Sequence, residues 1–84
     1  MNIRYVIKVT QKQGNAVLEG YCERSGKWAV VTPNIDDAKL FLTYRKAANA
    51  VTSTLWTTAV GSKYPIQLNI QRVGATVTYL GDEK

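Results

Sequence analysis

From Ile3 to Thr10 the chain alternates. Ile3, Tyr5, Ile7 and Val9 fall on one face, and Arg4, Val6, Lys8 and Thr10 on the other. A period of two carried by β-branched and aromatic residues predicts a half-buried strand. Gln13-Gly14-Asn15 supplies turn chemistry, because Gly and Asn tolerate positive φ. Ala16 to Tyr21 reads as the return strand, so residues 3–22 predict a hairpin. Arg24-Ser25-Gly26-Lys27 is a second tight turn. A short apolar strand from Trp28 to Thr32 follows and ends at Pro33, which cannot donate to a ladder. Three consecutive strands joined by short turns make an antiparallel meander.

The period then changes. Asn34 or Asp36 can cap a short helical turn over Asp37–Leu40, and the acids suit a positive helix start. Thr43 is placed to cap a longer helix, in which Tyr44, Ala47, Ala48, Val51, Leu55 and Ala59 recur in helical steps of three and four. The Thr and Ser residues at 52–54 and 57–58 are poor helix formers, at roughly half a kcal/mol each relative to Ala. The apolar spacing still predicts helix over 44–60, with Gly61 as the terminating residue. Beyond Lys63-Tyr64-Pro65, Ile66, Leu68 and Ile70 alternate with Gln67, Asn69 and Gln71, a clear strand. Val73-Gly74 turns it, Ala75 to Leu80 forms the last strand, and the chain ends in polar residues.

The order βββαββ predicts an α+β fold: an antiparallel sheet of about five strands with one main helix packed on one face. The expected core is Tyr5, Ile7, Val9, Leu18, Trp28, Val30, Leu40, Phe41, Val51, Leu55, Ile66, Leu68, Ile70 and Val77. The 84 residues suffice for one domain spanning 1–84. At 45% apolar and 20% charged, the chain has the makeup of a folded globule and not of a disordered tail. A domain of this size buries roughly 60–65% of its unfolded surface, so a single thin core is expected.

Several chemistries are excluded at this level. One cysteine, Cys22, cannot form an internal disulfide, and with no His it cannot build the usual zinc sites. A Ser–His or Cys–His nucleophile pair lacks its base. Cys22 stands beside Glu23, whose charge raises a thiol pKa, and reads as a small half-buried residue. Asp36 and Asp37 point about 100° apart on a helix and cannot face each other as paired catalytic carboxylates. The six glycines are isolated and form no phosphate-cradling loop. No cofactor, no metal and no catalysis are expected. No apolar run approaches the roughly 18 residues of a membrane span, and the first residues form no signal-peptide core. The expectation is a soluble cytoplasmic protein with a reduced thiol.

What is left is recognition. Eleven Lys and Arg against six Asp and Glu give a net charge of +5, with the cations spread along the chain and only Arg45-Lys46 adjacent. The charge serves solubility and also favours anionic partners. Two surfaces stand out. If Tyr5, Ile7 and Val9 face the helix, then Arg4, Lys8, Lys12 and Tyr21 share the open sheet face with Glu19, Gln67, Asn69 and Gln71. Such a face could hold a nucleic acid or nucleotide by stacking and phosphate pairing, although a merely solvated face would look the same. The second surface combines Arg45 and Lys46 with Trp56 and Tyr64, a protein-binding set, since Trp, Tyr and Arg carry much of the energy of interfaces. Trp56 follows Leu55, so both cannot point straight inward. Trp56 either packs at the helix edge against Tyr64 or is an exposed anchor.

The run Tyr5-Val6-Ile7-Lys8-Val9, the step Gly26-Lys27-Trp28, and Ile35-Asp36-Asp37-Ala38-Lys39-Leu40-Phe41 leading to Thr43-Tyr44-Arg45-Lys46-Ala47 resemble small uncharacterised phage and prophage accessory proteins of Gram-positive bacteria. The resemblance covers residues 5–47 and rests on fold-forming residues, so it carries no catalytic residue over. It implies a phage-encoded protein, located in the host cytoplasm, that binds and modulates or inhibits a larger host or defence macromolecule. A protein partner of unstated identity is expected, with the chain itself a monomer or homodimer. The basic charge argues against an acidic mimic of DNA.

Overall fold

The structure, a computed structural model, describes residues 3–74 and 79–82. It is α+β with an antiparallel sheet, as the patterning predicts. The strands are β1 (Arg4–Gln13), β2 (Ala16–Arg24), β3 (Val30–Thr32), β4 (Ile66–Val73) and β5 (Tyr79–Asp82), in spatial order β3-β2-β1-β4-β5. Between β3 and β4 lie a 3-10 turn (Ile35–Asp37) and two helices, α1 (Tyr44–Ser53) and α2 (Thr57–Val60). The β1–β2 hairpin closes at Gln13↔Ala16 around Gly14 and Asn15, with Gly14 at φ 68°. The expected last strand from Ala75 is described only from Tyr79, and residues 75–78, including the expected core residue Val77, lie outside the described residues.

Register settles the two faces. β1 pairs with β2 through Lys8↔Tyr21 and with β4 through Ile7↔Ile70 and Val9↔Leu68. Cross-strand partners share a face, so Ile7, Val9, Leu68 and Ile70 look one way. They pack with Phe41, Ala47, Ala50 and Trp56 under the helices. The other face is not simply open. Val6, Val73 and Ala38 form a second buried cluster there, with Tyr21 and Ile35 packed against it.

The chain reaches both clusters by passing between two strands. Past Lys8↔Tyr21, β1 and β2 part. The Tyr5 N–H donates to the Phe41 carbonyl at 2.9 Å, and the Phe41 N–H donates back at 2.8 Å. The Lys39 N–H donates to the Cys22 carbonyl at 2.7 Å. Residues 38–41 therefore fill the gap, with Ala38 in one cluster and Phe41 in the other.

The caps follow local chemistry. The Asn34 side chain accepts from the Asp36 N–H at 3.0 Å and starts the 3-10 turn at Ile35, so the helical turn expected over Asp37–Leu40 lies earlier, over Ile35–Asp37. Thr43 Oγ1 accepts from the Lys46 N–H at 3.2 Å and starts α1, as its position predicts.

The single helix over 44–60 and the strict βββαββ order need correction. The helix stops at Ser53 and resumes at Thr57. Thr52 and Ser53 hydroxyls both donate to the Asn49 carbonyl, at 3.1 and 2.7 Å, which weakens the ladder at its last turn. The Leu55 backbone is taken by the β3 approach: its N–H donates to Lys27 O at 3.1 Å, and its carbonyl accepts from Ala29 N–H at 3.2 Å. The break exchanges two side chains. Trp56 turns inward to 7% exposure, its Nε1–H donating to the Val51 carbonyl at 3.0 Å, and Leu55 turns out to 52%. Trp28, Val30 and Leu40, also expected in the core, are 59%, 40% and 38% exposed. Trp28 is not in β3; it bridges Leu55.

One buried polar residue ties down the α2–β4 loop. Gln11 lies on the helix face at 1% exposure. Its Nε2 donates to the carbonyls of Tyr64 at 2.9 Å and Gly61 at 3.3 Å, and its Oε1 accepts from Gln13 Nε2 at 2.6 Å. Gln11→Leu should cost about 1–3 kcal/mol by orphaning those groups. A denaturant melt would show it, together with faster amide exchange at residues 61–65. Gly20→Ala should cost a similar amount, about 1–3 kcal/mol. The added Cβ would stand 2.6 Å from Val31 Cγ1 and 3.0 Å from the Thr32 carbonyl oxygen, and an unchanged melt would contradict that packing.

Candidate functional site

The residues expected to bind nucleic acid do share a face. Tyr21 stands opposite Lys8, and Arg4 and Lys12 follow the same alternation along β1, with Gln67 and Asn69 beside them on β4. The cations are four residues apart, or roughly 13 Å along a strand. Lys8 Nζ lies 3.7 Å from Glu19 Oε1, and Arg4 Nη1 donates to the Ile3 carbonyl at 3.0 Å. Tyr21 is half-buried against the Val6–Ala38–Val73 cluster, so one side of its ring serves packing.

The expected protein-binding set does not assemble. Trp56 is a core residue and offers no exposed ring, which corrects its assignment as an anchor. Tyr64 is held at the far end of the sheet, where its carbonyl meets Gln11. Tyr44, next to Arg45, packs edge-on against Tyr5 at 6.2 Å between ring centroids. Six residues of β1 separate Tyr5 from Gln11, which is roughly 20 Å. Arg45 and Lys46 are exposed on the first turn of α1.

A different surface does assemble. Trp28 and Leu55 are bridge partners and both are exposed, with Lys27 Nζ 5.3 Å from the Trp28 ring centroid. Next to them, at Gly26 and Thr54, a groove of about 490 Å³ opens between residues 39–42 and α1. Phe41 and Ala50 line its buried side, and Leu40, Leu42, Lys39 and Lys46 line it from more exposed positions. The signal for this site was in the sequence. Leu40 and Leu42 flank Phe41, which bridges Tyr5, and along bridged backbone neighbouring side chains go to opposite sides. With Phe41 in the core at 6%, Leu40 and Leu42 must face out, at 38% and 56%.

Lys39 is held in place. Its Nζ donates to Ser25 Oγ at 2.9 Å and lies 5.1 Å from the Phe41 ring centroid. Ser25, Lys39, Lys46, Asn49 and Ser53 supply the polar lining, which contains no carboxylate. Among the described residues no group of three His, Cys, Asp or Glu side chains could hold a metal ion. None of the described helices is long and apolar enough to cross a membrane.

Cys22 is fully buried, deeper than its sequence position suggests. Burial pushes its thiol from the usual 9.0 up to about 11, while the Lys39 charge and a hydrogen bond from the Arg24 backbone pull the other way. The dominant cause is desolvation, not the neighbouring Glu23.

No family model, curated protein or solved structure matches the chain.

The thiol gives a pH prediction. Because the folded pKa is raised, the protonated thiol favours the fold below pH 9, and stability falls as pH rises from 9 through about 11, where only the unfolded chain ionises readily. Cys22→Ser should flatten that part of a stability–pH curve. Alkylation of the native protein at pH 8 should be far slower than of the unfolded chain, and equal rates would contradict a buried thiol.

Proposed function

We propose that this is a non-catalytic interaction protein of the phage-accessory kind its sequence resembles. On this reading it is encoded by a phage, works in the cytoplasm of the host, and docks onto a larger host or defence protein that it modulates or inhibits. The observation that carries the reading is the exposed Trp28–Leu55 pair beside the groove. Leaving such side chains in water forgoes about 1.5–3 kcal/mol each relative to burial. An exposed apolar pair close in sequence to residues that line a groove is what a partner surface covers. The absence of His and the burial of the single thiol support a role without turnover. The contact residues are Trp28, Leu55, Leu40 and Leu42, with Arg45 and Lys46 at the rim, in place of Trp56 and Tyr64.

Trp28→Ser should change stability by no more than about 0.5 kcal/mol, as an exposed substitution, and weaken partner binding by about 2 kcal/mol or more. Affinity capture from a Gram-positive host lysate, run with the native protein and with a Trp28→Ser/Leu55→Ser double variant, measures this. Partners retained equally by a folded double variant would remove this face from the reading.

A second reading, a nucleic-acid or nucleotide-binding module, is supported by the register that puts Arg4, Lys8, Lys12 and Tyr21 on one face. It predicts binding that weakens steeply with salt, because displaced counterions drive such association. It also predicts that Lys12→Gln lowers affinity for single-stranded oligonucleotides. A gel shift at two salt concentrations checks both, and no shift at low salt would remove this reading.

A further inference from the structure

We infer that the groove beside α1 receives an extended acidic segment of a partner protein, in which carboxylates alternate with aliphatic side chains. The inference rests on the docking reading above and specifies its occupant.

Charge points to the partner's sign. Lys39 and Lys46 line the groove, Lys27 follows the lining residue Gly26 in the chain, and none of the lining residues is acidic. Arg45 and Lys46 occupy the first turn of α1, which carries no acid. Cations there oppose the positive end of the helix dipole, an arrangement that a bound carboxylate relieves. Shape and polarity point to the partner's form. Leu40 and Leu42, two residues apart on either side of the buried Phe41, both line the groove at 38% and 56% exposure, which matches the spacing of alternate side chains in an extended peptide. Ser25 and Asn49 add hydrogen-bonding groups to the groove lining.

A nucleic acid fits this groove poorly. Its bases need exposed aromatic faces to stack on. The aromatic residue in the groove lining, Phe41, is buried at 6%, the exposed walls are leucines, and the exposed Trp28 ring outside the lining offers a single stacking surface that Lys27 Nζ already approaches at 5.3 Å. The Lys39 ammonium is already oriented by Ser25 Oγ, so it can take up a carboxylate with little further ordering.

The test uses the full chain and short synthetic peptides. One alternates aspartate with leucine, one is its asparagine isostere, and one alternates lysine with leucine; a single-stranded oligonucleotide is run alongside. Binding is followed by amide chemical shifts and by titration calorimetry. The acidic peptide should move the amides of residues 39–42 and 46–54 and bind about tenfold more tightly than its isostere, a difference of about 1.4 kcal/mol. Lys39→Gln/Lys46→Gln should erase that difference while amide shifts elsewhere stay in place. Lys39→Glu/Lys46→Glu should reverse the preference toward the lysine peptide, which guards against a loss caused only by misfolding. Equal affinity for the acidic peptide and its isostere overturns the acidic partner and leaves docking at this face intact. Groove shifts caused by the oligonucleotide and not by the peptide replace the protein segment with nucleic acid. No groove shift with any peptide at millimolar concentration overturns the inference, and the lysate capture with Trp28→Ser/Leu55→Ser then decides separately whether the wider docking reading survives.

Discussion

Two backbone hydrogen bonds between Tyr5 and Phe41 organise this molecule. Where β1 and β2 part, the Tyr5 N–H and carbonyl would otherwise face a gap in the sheet, and each unmet buried group costs about 1–3 kcal/mol. Phe41 answers both, and Lys39 N–H reaches Cys22 across the same gap. The consequence is geometric. The connection from the 3-10 turn to α1 must enter the sheet with Ala38 on one face and leave it with Phe41 on the other. That crossing closes part of the supposedly open face, because Val6 gains a cover. It also fixes where α1 begins, because Thr43 caps the helix two residues after Phe41. The groove lies between this crossing segment and the helix it launches, so the candidate site is a by-product of how the split in the sheet is filled.

Much of the fold was legible because strand periodicity is a local property. Alternation alone put Ile7 and Val9 inside and Lys8 on the other face, and the register agrees. Caps were legible for the same reason: Thr43 and Asn34 act on backbone groups within three residues. The failures were non-local. Nothing near Leu55 says that its backbone will be bonded by Lys27 and Ala29, yet those bonds decide that Trp56 goes in and Leu55 out. The weak helix propensity of residues 52–54 lowered the cost of that break without announcing it. Trp28 was misplaced because apolar character was read as burial, although its partner across the bridge is itself exposed. Gln11 lies just beyond the alternating run and drew no expectation, while the carbonyls of a loop some fifty residues away make it a buried clamp.

The candidate site inherits this division. The cationic face on β1 was foreseen because it depends on alternation. The Lys8–Glu19 pair follows from the same alternation, whereas the packing of Tyr21 under Ala38 was not foreseen, because it depends on which chain segment arrives there. The protein-binding set built around Trp56 failed for a different reason. It chose residues by type, as those that carry interface energy, while the helix break draws Trp56 into the core.

The surviving surface can be weighed against a purely structural explanation. Exposed apolar residues are common on any folded protein, and an isolated Leu42 would need no account. The arrangement here is different in two respects. Trp28 and Leu55 are brought together by the backbone bonds of Leu55 to Lys27 and Ala29, which hold the two side chains side by side while 59% and 52% exposed. Arg45 and Lys46 stand where α1 gains nothing from them, since the helix would be more stable with acids in its first turn. A fold selected for stability alone would reverse those charges and bury that Trp. Both choices become favourable once a negatively charged chain lies across them.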